Sequence, residues 1–545
     1  MKKNSTILNN HLPFLAFITF SLILRFSSNV PTLFVADSPK YFVPLQIVYE
    51  RNFGWVLSTI NFSLLDRIIN YWVQINHAGD ISSVIALHKI CGLASTVLVY
   101  LILYRANSSR LLALIASILF SLNPGLLYIE QVVIPESFYV FFLLLTIKLI
   151  QEIFLCKNSS IWIYVILAGL TAGLSSITKQ TSDLWILLIT ITISFYAIYL
   201  FWVTKSKQFI FVALVFYCSS FAVKLPVYCF NYNTFGIFDI SSNKAISSGA
   251  GALLWALTED MVYSRVPTKY PWLTKLFINT TDKFKQEFTV NDSGSVTTPF
   301  YLAISRINVS GREGKLVHPD TQVPITPNEW SKICSGYFLD LSLTQPIRAI
   351  RRMFRVSMVN MFAKEDLGLF VYENSIRPNV GFNPIQFTMV PFSLTSNIDP
   401  KLASMQAEVI HIKEQQLSKA QSFFSYFKMN PSDKYLVMVN MDTPYGFWNR
   451  IEGLSPWWQR LWAWLPWIWL ILPAFMLALI FYIWDLCKTR RFEIFELIVL
   501  ISALYFAFFP ILITMCEPRY RLQFVHFMII FIIMSFTRLQ KRSAC

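Results

Sequence analysis

Charge is scarce in this chain. Asp, Glu, Lys and Arg make up 14% of 545 residues, 55% of the residues are hydrophobic, and the mean hydropathy is +0.49. Ordinary soluble domains carry about 25% charged residues, so this composition excludes that class. Nucleotide, dinucleotide, zinc-protease and serine-hydrolase signatures are all missing: the chain has no P-loop, GxGxxG, HExxH or GxSxG. The 8 cysteines are scattered, several of them (Cys91, Cys218, Cys516) in or beside apolar runs, with no CxxC pair or Cys/His cluster at ligand spacing. They carry no zinc or disulfide signal, although a bridge between Cys229 and Cys334 is open if their compartment is oxidising. There is no internal repeat and no low-complexity tract. Nor does a small-residue cleavage site follow the basic start Met1-Lys2-Lys3, so the first apolar stretch is expected to stay as a signal anchor.

What the chain does have is length in its apolar runs. Stretches able to cross a roughly 30 Å hydrocarbon core occur near 12–30, 81–104, 111–129, 135–155, 161–178, 182–203, 208–226, 462–484, 494–513 and 522–537. The expected fold is mainly α: a polytopic transmembrane helical bundle of about ten spans with an external α/β or mostly α domain. The net charge of +15 is assigned to loops and membrane-facing surface, with no nucleic-acid partner. Lys and Arg in alternate short loops (Lys2/Lys3, Arg105/Arg110, Lys157, Lys205/Lys207, Lys488/Arg490/Arg491, Arg538/Lys541/Arg542) fall on one side, which the positive-inside bias makes cytoplasmic. Three parts follow: a transmembrane module over 1–226 with a first external loop at 31–80, an external segment over 227–460, and C-terminal transmembrane helices over 461–545. Within the external segment, 336–363 and 400–428 read as helices, and 42–75 reads as amphipathic helices lying on the membrane surface. Tryptophans at 448, 457, 458, 462, 464, 467 and 469 mark an interfacial belt where the chain returns to the membrane.

This topology brings several ionisable residues to the outer face. Asp37 follows the first span in Ala36-Asp37-Ser38-Pro39-Lys40-Tyr41; its plain reading is a cap or turn residue, and its chemical reading is a general base. Glu136 opens the fourth span in Pro135-Glu136-Ser137-Phe138, where a carboxylate also complements the helix dipole. Lys179 sits in the outer turn Thr178-Lys179-Gln180-Thr181, against the loop charge bias, and so calls for an anionic partner. Glu517-Pro518-Arg519-Tyr520-Arg521 hinges the last two spans, and its arginines suit phosphate oxygens or an internal pair with Glu517. The stripe Arg348, Arg351, Arg352 and Arg355 reads first as a solvated or headgroup-facing helix surface.

Taken in order, these motifs resemble the GT-C superfamily of integral-membrane glycosyltransferases, particularly protein O-mannosyltransferases and lipid-A aminoarabinose transferases. The residues carrying the resemblance are Asp37-Ser38 to Tyr41, Pro135-Glu136 before a Phe/Leu-rich span, Gly169-Leu170 through Thr178-Lys179-Gln180-Thr181, and Arg519-Tyr520-Arg521. The resemblance implies a multi-pass enzyme, in a bacterial inner or plasma membrane, with an extracytoplasmic site that moves a hexose or pentose from a polyprenyl-phosphate donor to a glycolipid, envelope polysaccharide or protein. It gives Asp37 the part of inverting base and Glu136 that of a second acid. Lys179, Arg519, Tyr520, Arg521 and Tyr41 become donor and substrate contacts. It implies no metal ligand among these residues, while leaving a divalent ion compatible with the site. The external segment resembles no beta-trefoil module, so a protein acceptor is unsupported. The rival reading is a transporter or flippase for an anionic or lipid-linked substrate, whose usual inverted repeats are missing. A structural subunit of an envelope-polymer assembly is the third.

Overall fold

The computed structural model describes residues 2–27, 32–34, 51, 64–76, 82–106, 108–130, 134–155, 161–179, 181–204, 208–235, 253–254, 257–264, 268–287, 299–312, 314–351, 435–437, 467–489, 493–513 and 522–543. Within them the first bundle comprises α1 (Lys2–Ser27), α2 (Leu64–Asn76), α3 (Ser82–Arg105), α4 (Arg110–Ser121), α5 (Pro124–Ile129), α6 (Glu136–Leu155), α7 (Ile161–Thr178), α8 (Ser182–Thr204) and α9 (Gln208–Phe235). A second group holds α10 (Glu259–Val262), α11 (Pro271–Glu287), α12 (Pro299–Arg312) and α13 (Pro327–Thr344). The chain closes with α14 (Trp467–Thr489), α15 (Ile494–Ile513) and α16 (Leu522–Ser543). Two three-residue strands, Thr32–Phe34 and Tyr435–Val437, pair in parallel with Leu33 opposite Leu436.

Seven of these helices are long and apolar enough to cross a membrane. Three further expected spans appear as shorter apolar helices, His11–Phe26, Arg110–Ser121 and Ile494–Phe508. The polytopic helical bundle expected from composition is therefore what the chain forms. The expected third span, 111–129, is instead two helices. Ser109 caps α4 by accepting the Leu112 N–H at 3.2 Å, and Asn123-Pro124 breaks the run, because proline has no N–H to continue the ladder. At 1.5 Å per residue, the 12 residues of α4 extend about 18 Å, short of the core thickness. The helix expected to end at 226 runs on to Phe235.

Neighbouring helices pack in series, α3 against α4, α6 against α7 and α8 against α9, and non-consecutive contacts of α3 with α6, α7 with α9 and α8 with α15 close the bundle. α16 packs on α14 and α15 and also reaches α3 and α4, so the C-terminal helices close onto the first bundle. The shared core is aliphatic and aromatic, with Val99, Ile102, Leu143, Leu144, Ile147, Trp185, Ile498, Phe506 and Phe527 fully buried. Two close approaches depend on glycine. A Cβ at Gly169 would lie 2.5 Å from the Phe216 carbonyl oxygen, and one at Gly173 would lie 2.6 Å from that of Ser220, so α7 and α9 meet nearly backbone to backbone.

α10–α13 build a separate core around Leu254, Phe277, Phe300, Trp330 and Tyr337. The Trp330 indole donates to Asn308 Oδ1 at 3.2 Å and lies across Gly311, where a Cβ would come within 2.3 Å of the ring. α13 begins with a capping box between Thr326 and Glu329, with Pro327 at its first position. The expected helix at 336–363 is seen as α13 and a further turn at 346–351; 400–428 lies outside the described residues. In the amphipathic stretch expected near 42–75, α2 buries Tyr71 and exposes Trp72. Cys229 and Cys334 are not joined in the bridge left open by the sequence.

Candidate active site

Glu136 and Lys179 meet at one end of the bundle. Glu136 is the first residue of α6 and Lys179 follows the last residue of α7, so antiparallel packing of the two helices brings these ends together. Lys179 Nζ lies 3.2 Å from Glu136 Oε1, and the carboxylate is buried, its side chain 2% exposed. The ammonium also stands 5.6 Å from the centre of the Tyr139 ring. Carboxylate and aromatic face together hold a cation where an unpaired one would be costly.

Around this pair runs a polar layer. The Tyr139 hydroxyl receives the Ser182 Oγ proton at 2.9 Å and lies 2.9 Å from Thr181 Oγ1. Tyr505 of α15 donates to the Thr181 carbonyl oxygen, and Trp185 Nε1 donates to Ser502 Oγ at 2.9 Å. These bonds fix the α7–α8 turn against the C-terminal helices. Next to it, Asp183 in the first turn of α8 accepts from Lys224 Nζ of α9 at 2.8 Å and from Ser176 Oγ of α7. Lys224 is buried while the Asp183 side chain stays 35% exposed, so the carboxylate is the accessible member of the pair.

A third charged group lies deeper. Arg25, in the last turn of α1, holds Glu130 through two parallel bonds, Nε to Oε2 at 2.8 Å and Nη2 to Oε1 at 3.0 Å, with both side chains wholly buried. The same guanidinium donates to Ser121 Oγ at 2.9 Å and to the Ser121 carbonyl at 3.2 Å, tying α1 to the end of α4. The Glu130 carboxylate lies across Gly92 of α3, where a Cβ would come within 1.8 Å of its Oε1. Lys89, one turn earlier on α3, is buried and bears on Glu130 electrostatically. This cluster anchors the segment leading into Glu136 and the helix end leading into the first loop.

Of the residues singled out from sequence, Glu136 and Lys179 are thus in direct contact. Asp37, Tyr41, Arg519, Tyr520 and Arg521 lie outside the described residues. Sequence reasoning did not pick out Arg25, Lys89, Glu130, Asp183 or Lys224. A signal for most of them exists: an ionisable residue within or beside an apolar run is costly unless it has a partner. The four-residue glycine spacing of Gly169 and Gly173, which brings Lys224 to Asp183, is also visible in the sequence.

Comparison with known families places one segment. Residues 66–236 match the family described as dolichyl-phosphate-mannose-protein mannosyltransferase, which belongs to the GT-C superfamily of membrane glycosyltransferases. The match covers 171 of 545 residues and includes Glu130, Glu136, Lys179, Asp183 and Lys224. Asp37 precedes it and Arg519 to Arg521 follow it. No curated protein and no solved structure matches the chain. The family implies a membrane glycosyltransferase with a polyprenyl-phosphate-linked sugar donor, and with the seven long apolar helices it points to an integral membrane protein.

Proposed function

We propose that this protein is an inverting glycosyltransferase that moves a sugar from a polyprenyl phosphate to an acceptor hydroxyl on the extracytoplasmic face of a bacterial plasma membrane. The observation that carries this reading is the contact between Glu136 and Lys179 at one end of the bundle, inside the segment that matches the mannosyltransferase family. Lys179 is the group for the donor phosphate: its ammonium offsets charge that builds on the phosphate oxygens as the sugar–oxygen bond breaks. Glu136 positions that ammonium, and Tyr139 supports it from below.

In the displacement, the acceptor oxygen forms a bond to the anomeric carbon as the carbon–phosphate oxygen bond breaks, and polyprenyl phosphate leaves. Attack opposite the leaving group inverts the anomeric centre. Asp37 takes the acceptor proton, and Arg519 and Arg521 add planar donors for the phosphate, with Tyr520 and Tyr41 completing the contacts. A glycolipid or envelope polysaccharide is the favoured acceptor class. The lipid tail of the donor explains why the site stands at the end of membrane helices.

The test is transfer of a radiolabelled sugar from synthetic polyprenyl-phosphate donors by the full-length protein in detergent or nanodiscs. We expect transfer to extracted envelope glycolipids, with Lys179→Met lowering kcat/KM by roughly 10²–10³-fold. Full transfer by Lys179→Met would remove that residue from the site. Translocation of a lipid-linked or soluble anion in proteoliposomes, with no transfer to any acceptor, would favour a transporter.

A further inference from the structure

A second polar region occupies the other end of the bundle. Gln151 lies fifteen residues past Glu136 on α6, about 22 Å along the helix axis at 1.5 Å per residue. Here Arg538 of α16 pairs with Asp485 of α14, Nε to Oδ2 at 2.9 Å, and with Glu496 of α15, joining the three C-terminal helices. Beside this knot, between α3, α6, α15 and α16, opens a cavity of about 150 Å³. A single water needs only ~10–15 Å³, so the space suits a larger group.

The lining is unusual in carrying spare charge of both signs. Arg538 faces two carboxylates, Asp485 and Glu496, and the solvent-facing Glu493 lines the same cavity as Glu496. Glu152 faces both Lys148 and Arg105, the latter at 3.5 Å with its side chain 55% exposed, which leaves one positive charge in excess. Lys541 and Glu493, both solvent-facing and both lining the cavity, have no ion pair among the described residues. Phe154 and Met534 add apolar surface to the same lining. All four bordering helices are apolar and end at this level, which is where a bilayer presents its headgroups.

We propose that this cavity binds the headgroup of an aminophospholipid, with the phosphate against Arg105 and Lys541 and the primary ammonium against Glu493 and Glu496. A purely anionic headgroup leaves the two carboxylates facing negative charge. A quaternary ammonium cannot donate hydrogen bonds to them. The apolar side chains receive the glycerol end of the lipid, which a soluble zwitterion lacks.

Native mass spectrometry of the full-length protein, exchanged in turn with phosphatidylethanolamine, phosphatidylcholine and phosphatidylglycerol, reads this directly. We expect phosphatidylethanolamine to be retained at least about tenfold more strongly than the other two. The double variant Arg105→Gln/Lys541→Gln should lose that preference, and Glu493→Gln should move it toward phosphatidylglycerol. All three positions are solvent-facing, and an unchanged melting temperature would verify that the fold is kept. Equal retention of the three lipids, or wild-type retention by the double variant, would overturn the site. Soluble phosphoethanolamine binding as tightly as the lipid would overturn the lipid assignment.

Discussion

Arg25 and Glu130 set the energetic scale for single residues here. A buried ion pair gains little over a well-packed apolar pair, because desolvation offsets attraction, but removing one partner strands a charge and costs about 3–5 kcal/mol. Arg25→Met should therefore lower the detergent-solubilised protein's melting temperature sharply, while Arg25→Met/Glu130→Leu should recover much of the loss. If the double variant melts no higher than the single one, the cost lies in packing and not in the stranded carboxylate. This cluster was only partly legible in the sequence. Arg25 stands out as a charge closing an apolar run, but its partner is 105 positions away and no local pattern links the two. The need for glycine at position 92 is likewise set by a side chain from another helix. Glu136 and Lys179 were legible because each marks a helix end and the loop charge bias alternates by span. Asp183 and Lys224 were passed over in favour of charges in loops, although both lie in apolar stretches where an unpartnered charge would not persist.

Helices were the easiest feature to read, since apolar length alone identifies them. The exception, the break at Asn123-Pro124, carried its own signal in proline chemistry and was masked by the unbroken hydropathy around it. Helix pairing was harder, and α7 with α9 shows why: their contact rests on Gly169 and Gly173, which add nothing to hydropathy but let two backbones approach. Gly173→Leu should force them apart, destabilise the protein by roughly 1–3 kcal/mol and reduce transfer, because Lys224 lies one turn beyond Ser220 and would lose its register with Asp183. Normal transfer with an unchanged melting temperature would show that the two helices can repack. In α13 the Glu329 carboxylate accepts from the Thr326 N–H and Oγ, each at 2.9 Å, and these bonds hold its pKa below the usual carboxylate range. A folded-state value below the unfolded one stabilises the helix above about pH 4.3 and loses that stabilisation as pH falls through the folded value. Amide exchange over 328–332, corrected for intrinsic rates, should therefore speed up on acidification to about pH 3. Thr326→Ala should already exchange faster at neutral pH and show less acid dependence; an identical pH profile in that variant would rule out the cap as the cause.

Across the whole molecule, the two charged ends differ in composition as well as position. The Glu136 end holds matched pairs, Glu136 with Lys179 and Asp183 with Lys224. The opposite end collects the basic residues that close α3 and α16, including Arg105, Arg538 and Lys541. Basic short loops are retained in the cytoplasm, so the orientation predicted from this asymmetry has Lys541 inside and Lys179 outside. That prediction also puts the α10–α13 core outside, because α9 runs past the Lys224–Asp183 pair toward the Lys179 end and the next long apolar helix begins only at Trp467. Every proposed site residue then depends on one sidedness. Single cysteines replacing Lys179, Lys285 or Lys541, in a chain whose native cysteines are changed to alanine, make it measurable with a membrane-impermeant maleimide. In intact cells or right-side-out vesicles, Lys179→Cys and Lys285→Cys should react. Lys541→Cys should react only after permeabilisation. Labelling of Lys179→Cys and Lys541→Cys from the same side would mean that the helices do not cross as their length and charge require, and a site joining Lys179 to an extracytoplasmic acceptor would fall with that result.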